Sequence, residues 1–472
     1  MTKDLTLGSP IRLVTIFTMP LLIGNLFQQL YLFTDAVVVG RLLGVDALAA
    51  VGSTGSLTFL LIGFTWGSSA GLAIPVSKAF GAGDKRALAR SVAASVYASL
   101  GITVFIMVAG CLGARSMLQL LHTPAELLQS ATGYLLVTFG GAIVTVAYNL
   151  LASLIRALGD SRTPLLFLVM SCVLNAGLSA FFVGVCHLGV PGAALATIIA
   201  QLVSVISCLI YINAKIPLLH LTRDDWKISP WETWASAKLG IAMGFQTSII
   251  AIGTLVLQYA INGLGPHAIA AYTTSMRVDQ VASAPLNSVG LALSTFVAQN
   301  RGARQWSRIL LGVRQTCLLS VGMAVVLGTV NIVFGAGLVR LFIGAGDPDV
   351  VADAHLYLII QGSTYFILGL LFALRGTLQG MGQTIIPTIA GTMELVFRAA
   401  TALVLVAHFG FLGVCLASPL AWTGSLSALL PAWLMTRRDL RQRCHESVLG
   451  TTDDVASLEP DLTRASMLLV AD

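Results

Sequence analysis

Apolar residues in this chain gather into long runs separated by short polar or charged breaks, and twelve such runs can be marked: 11–39, 47–76, 88–112, 127–155, 164–185, 190–212, 234–262, 268–297, 310–334, 356–378, 385–406 and 412–435. Each is long enough for an α-helix to cross the roughly 20 residues' depth of a bilayer. The weak apolar/polar alternation over about 10 residues that marks a membrane β-strand is absent from the pattern. The expectation is an all-α polytopic membrane protein of twelve helices, with 11–39 read as a retained first helix rather than a cleaved leader.

The pattern also repeats. Shifting the first half by 221 residues lays Gly44, Ala47, Ala49, Ala50, Gly81 and Ala82 on Gly265, Ala268, Ala270, Ala271, Gly302 and Ala303. A shift of 223 lays Gly159 and Pro164 on Gly382 and Pro387, and 221 again lays Gly189, Gly192, Leu195 and Ala196 on Gly410, Gly413, Leu416 and Ala417. Each match is weak alone; their common order is the argument. Six helices per half return the chain to its starting side, so the halves share one topology and are related by a pseudo-two-fold axis along the membrane normal. The expected organisation is an N-terminal lobe (1–212, helices 1–6), a cytoplasmic inter-lobe loop (213–233), a C-terminal lobe (234–440, helices 7–12) and a polar cytoplasmic tail (441–472), disordered after Cys444.

Composition sharpens this. Of 472 residues, 56% are hydrophobic and 10% charged, against about 25% charged in soluble domains. The formal charge of +6 is scattered between apolar runs and forms no basic stripe interleaved with aromatics, so nucleic acid is not an expected partner. With the N-terminus inside, 20 Lys and Arg fall at inner ends and loops and only Arg41, Arg115 and Arg340 in outer loops. The positive-inside rule then places both termini in the cytoplasm and supports an even helix count; the expected location is the cytoplasmic membrane. The seven cysteines and seven histidines show no metal-ligand or disulfide spacing. No nucleophile, metal or cofactor motif suggests an enzyme, and Gly81-Ala82-Gly83-Asp84 is too short for a phosphate loop.

Ionisable residues inside the apolar runs cost about 2.5–3.5 kcal/mol each on insertion scales and point to function by default. They are Asp35, Arg277, Asp279, Glu394 and Arg398, with Arg156 and Arg375 expected to snorkel from the inner ends. Glu394 and Arg398 stand i,i+4 and can neutralise each other, whereas Arg277 and Asp279, at i,i+2, cannot face one another. Asp279 is open between lining a cavity and pairing across helices. Asp35 has no basic residue one turn away. Counting rises of about 1.5 Å per residue sets Asp35, Ser179 and Thr197 at one depth, with Asn175 one turn deeper below Ser179. Carboxylate, amide and hydroxyl oxygens converging there suit a proton or a hard cation.

Three stretches then identify a likeness: Ser294-Thr295-Phe296-Val297-Ala298-Gln299-Asn300-Arg301-Gly302-Ala303; Thr34-Asp35 followed by Val39-Gly40; and Arg156-Ala157-Leu158-Gly159-Asp160 through Thr163-Pro164. With them the chain resembles the multidrug and toxic compound extrusion (MATE) family, more narrowly its prokaryotic DNA-damage-inducible branch, over about residues 10–440. The resemblance implies an antiporter that expels bulky, often cationic organic compounds in exchange for H⁺ or Na⁺; no cofactor is expected, and the expected partners are membrane lipid, the compound and the coupling cation, with the chain a monomer. It implies an ion site in the N-terminal lobe at Asp35, Asn175 and Thr197, and here Ser179 replaces a second aspartate often found in that branch. The seventh helix offers Gln246 and no carboxylate. Gln246, Met243, Met276, Asp279 and Glu394 are the candidates for lining the substrate path. The rival reading is a flippase for a lipid-linked oligosaccharide or related lipid.

Overall fold

The structure, a computed structural model, describes residues 4–121, 123–343 and 347–468; within these, the side chains of 30–33, 35–36, 45, 56, 342–343 and 447–468 lie outside the described residues. The chain winds through α1 (Pro10–Leu43), α2 (Val45–Gly81), α3 (Lys85–Leu120), α4 (Ala125–Gly140), α5 (Ala142–Ala157), α6 (Arg162–Ala180) and α7 (Gly189–Lys215). After the linker come α8 (Pro230–Asn262), α9 (Pro266–Gly302), α10 (Trp306–Ile343), α11 (Pro348–Gly380), α12 (Ile385–Ala400), α13 (Val406–Phe409) and α14 (Phe411–Leu468). Among the described residues there are eleven helices long and apolar enough to span a membrane, and the bent pair α4–α5, broken by 46° at Gly141, makes a twelfth span. Twelve spans in two lobes is the architecture expected from the pattern.

Local sequence explains where the helices start. Pro10, Pro230, Pro266 and Pro348 each stand at a helix's first turn, where a missing N–H costs nothing. Ser229 and Glu232 form a capping box on α8, and Asp84 accepts from the Ala87 amide at 2.9 Å to cap α3. Asp160 accepts from the Arg162 and Thr163 amides at 3.0 and 3.1 Å and from the Tyr211 hydroxyl at 2.8 Å.

The repeat is written into the backbone. Gly44 and Gly265 stand at the N-caps of α2 and α9 at φ near +90° (88° and 94°), a conformation for which glycine is the default residue. Gly159 and Gly382 (85° and 71°) pair likewise at the shift of 223, and Gly83 and Arg304 (68° and 55°) at 221. Each lobe also carries one π-turn at a matching place, Phe181–Val185 after α6 and Thr401–Leu405 after α12. One extra residue in the ladder at two repeat-related positions is the kind of break that recurs at functional sites.

Packing does not follow chain order throughout. Val14, Phe17 and Leu21 on the first half of α1 lie in one apolar cluster with Leu286, Leu293, Phe296 and Leu371 of the second half of the chain. Further along α1, Val39 packs with Val183 and Ala193 of the first half. The change of partners falls beyond Pro20, the proline inside this helix. The first half of α8 crosses reciprocally onto α2, where a side chain on Gly240 would press on Leu72 and one on Gly244 on Phe64.

Beyond the last span α14 runs on as helix to Leu468, and Arg443 pairs with Asp439 one turn back at 3.0 Å, a spacing that supports an exposed helix.

Candidate functional site

Three helices carry the residues expected to form an ion site. Val39 of α1, Val183 of the π-turn after α6 and Ala193 of α7 are fully or almost fully buried and form one small apolar cluster. One helical turn nearer the charged end, where the N-terminus and inter-lobe linker lie, these three strands of chain carry positions 35, 179 and 197, since a turn is about 5.4 Å. The Asp35 side chain lies outside the described residues. Asn175 and Ser179, one turn apart on one face of α6, are both 0% exposed. The Asn175 amide donates to the Thr197 hydroxyl at 3.1 Å, and that hydroxyl also bonds the Ala193 carbonyl at 3.2 Å. The amide oxygen of Asn175 is buried and accepts no hydrogen bond among the described residues. A buried carbonyl oxygen left open is costly unless something occupies it.

Other intramembrane charges are engaged elsewhere. Glu394 receives Arg398 of its own helix at 3.2 Å and Arg375 of α11 at 2.9 Å. Arg375 also donates to the Ser425 hydroxyl at 3.0 Å. It does not snorkel, as its place near a helix end suggested: it is 7% exposed and held inside the C-terminal lobe. The reason is electrostatic, because a buried carboxylate one turn from one guanidinium still has acceptor positions for a second. Asp279 accepts from the Tyr365 hydroxyl at 2.6 Å, and that oxygen in turn accepts from Asn331 at 3.0 Å. Asp279 therefore ties α9 to α11 and α10, while Arg277, two residues earlier, is exposed.

Of the remaining candidates, Gln246 is 3% exposed and its carbonyl accepts from Gln379 at 2.9 Å. Met276 packs against the apolar cluster around Tyr272 and Tyr357. Met243 lines a cavity between the lobes with Trp66, Arg156 and Leu291. A second cavity shares Trp66, Arg156 and Leu291 and reaches Asn25 and Asn149. They measure about 30 and 60 Å³, room for a few waters only. Arg156, expected at a helix end, turns into this seam and donates to Ser153 at 2.8 Å.

The seam itself was not foreseen in detail. Among the described residues the lobes touch in the half of the bundle next to the charged end: Asn25 to Ser288 at 2.9 Å, Gly63, Gly67 and Gly71 against Thr247, Met243 and Leu239, and Gly81 against Gln299. Gln299 accepts from the Leu5 amide at 2.9 Å and donates to the Ala157 carbonyl at 2.8 Å. Asn300 and Arg308 each donate to the Leu5 carbonyl at 3.2 Å. The signal was the Gln299-Asn300 pair inside an otherwise small and apolar stretch.

Comparison with known proteins agrees with this architecture. The MatE family pattern matches residues 20–181 and 242–404, one stretch in each half. The chain is 30% identical over 381 residues to the "Probable multidrug resistance protein YpnP" of Bacillus subtilis (strain 168), covering 80% of this chain and 84% of that one. It is 27% identical over 425 residues to the "Probable multidrug resistance protein YoeA" of the same organism, covering 88% and 91%. Its fold matches a solved structure described as an "Outward-facing conformation of a multidrug resistance MATE family transporter of the MOP superfamily" with a TM-score of 0.84 at 20% identity, over 94% of this chain and 99% of that one. The chain is a multi-pass membrane transporter and not an enzyme, and it belongs to the MatE family.

Proposed function

We propose that this protein is a secondary antiporter of the cytoplasmic membrane, with both termini in the cytoplasm, that exports organic compounds by alternating access in exchange for H⁺ or Na⁺. The observation that carries the reading is the open, buried amide oxygen of Asn175 beside Thr197, one turn from the level at which α1 brings position 35. Asp35, Asn175, Ser179 and Thr197 together offer a carboxylate, an amide oxygen and two hydroxyls, an all-oxygen set suited to a proton or Na⁺. The shift of 221 that pairs Gly44 with Gly265 puts Val256 opposite Asp35, which favours a single site in the N-terminal lobe.

Coupling requires that ion and compound bind the two conformations differently. The lobes meet at the charged end, so this conformation faces outward. Neutralising Asp35 there repacks α1 about Pro20, the point beyond which it changes lobes, and lowers affinity for the compound, which leaves. Return to the inward-facing form then gives the ion up to the cytoplasm. Gln246, Met243, Met276, Asp279 and Glu394 remain the residues proposed along the substrate path. Glu394 and Asp279 are already hydrogen-bonded, so they shape that path more than they offer free negative charge. Export of a fluorescent organic cation from liposomes, with Na⁺ and pH gradients imposed separately, tests the reading. Uphill export driven by one gradient and lost in Asp35→Asn is expected; export indifferent to both gradients would overturn it.

A further inference from the structure

At the charged end the tips of α2 and α9, the start of α10 and a stretch of α14 surround an open cleft of about 1020 Å³. Lys78 comes from the first lobe, and Arg301, Arg304 and Arg443 from the second. Two carboxylates, Asp84 and Glu446, share the lining, and Asp84 is engaged in capping α3. Arg443 pairs with Asp439 and stacks over the Trp306 ring at 5.4 Å. Among the described residues no carboxylate lies within ion-pair distance of Lys78, Arg301 or Arg304.

Arg304 lies just past the end of α9, at the position whose repeat counterpart is Gly83. Both hold φ in the left-handed region (55° and 68°), the turn that commonly ends a helix, and Arg304 adds a fourth cation to the rim of the cleft.

We infer that this cleft binds a phosphate group, most naturally the headgroup of an anionic lipid. Guanidinium groups match phosphate oxygens in pairs, and an ammonium adds a point charge. Trp306 lines the cleft at the start of α10, an aromatic residue of the kind enriched at membrane interfaces; on the proposed orientation the cleft is cytoplasmic, where basic pockets between membrane helices favour such lipids. Because the cations come from both lobes and meet only where α2 crosses α9, a bound phosphate also holds this end closed.

The test uses the full chain in nanodiscs of phosphatidylcholine alone or mixed with an equal part of phosphatidylglycerol, with retained lipid read by native mass spectrometry. Wild type should retain phosphatidylglycerol over phosphatidylcholine. Lys78→Gln and Arg301→Gln should each lower that preference about fivefold, and Arg301→Lys, which keeps the charge but not the paired donors, should lower it less. A parallel arm adds inorganic phosphate to protein in phosphatidylcholine alone. A rise in melting temperature there, absent in Arg301→Gln and without phosphatidylglycerol retention, upholds the phosphate site and assigns it a soluble ligand. Equal retention of both lipids with no response to phosphate, or undiminished retention by folded Lys78→Gln/Arg301→Gln, overturns it.

Discussion

Gly81 and Gly302, 221 residues apart, face each other's helices at the charged end: a side chain on Gly81 would strike the Gln299 carbonyl, and one on Gly302 the Lys78 carbonyl. Lys78 and Gln299 are themselves 221 apart, so α2 and α9 cross in a self-complementary way that only hydrogen side chains permit. Enlarging either glycine opposes the closed seam selectively, by the roughly 1–3 kcal/mol that overpacking costs. Gly81→Val and Gly302→Val should each lengthen the distance between spin labels at Lys85 and Ser307, both exposed. Unchanged distance distributions in both variants would mean that this crossing does not hold the end closed.

Gln299 ties three pieces of chain with one side chain, the N-terminal segment, the end of α5 and α9. Gln299→Leu is close in volume and removes both bonds, leaving a buried amide and a buried carbonyl at about 1–3 kcal/mol each. The Leu5 amide should then exchange with solvent at least about tenfold faster, as read by hydrogen exchange of the reconstituted protein. Protection equal to wild type would show that Leu5 is held by its own packing and by the Asn300 and Arg308 bonds to its carbonyl.

Glu394 neutralises two guanidinium groups inside the C-terminal lobe. Removing one member of a buried charged set typically costs about 3–5 kcal/mol, because the partners stay buried and uncompensated. Glu394→Gln should therefore lower the melting temperature in detergent clearly, and adding Arg375→Met should recover part of the loss. An unchanged melting temperature together with lost export would instead place Glu394 against the transported compound.

The periodicity of apolar runs and the shift of 221 made the twelve spans and the two-lobe repeat legible, because bilayer thickness and helix rise act locally on sequence. Spacing also made the Glu394–Arg398 pair legible. Arg375 was not: its partner lies 19 residues away on another helix, and a position near a helix end reads equally as a snorkelling one. Arg156 was hidden for the same reason. The lobe seam could not be read at all in detail, since Gln299, Leu5 and Ala157 are brought together by packing of segments up to 294 residues apart. Small residues showed that helices approach closely, but not which ones.

Asn175 offers the sharpest measurement on the ion site. Its donor is satisfied by Thr197 and its acceptor is open, so Asn175→Leu, of similar size, removes the proposed ion ligand while trading a polar contact for an apolar one. If Na⁺ is the coupling ion, saturating Na⁺ raises wild-type stability by about 1.4–2.7 kcal/mol at 10 to 100 times its dissociation constant, and Asn175→Leu abolishes the rise. If the ion is H⁺, Na⁺ changes nothing in either protein, while proton-driven export falls in the variant and persists in wild type. Thr197→Val should behave as a weaker copy of Asn175→Leu, because it removes one hydroxyl and leaves the amide oxygen in place. A folded Asn175→Leu protein that exports and responds to Na⁺ or pH as wild type does would remove α6 from the coupling site and leave position 35 to find its ligands elsewhere.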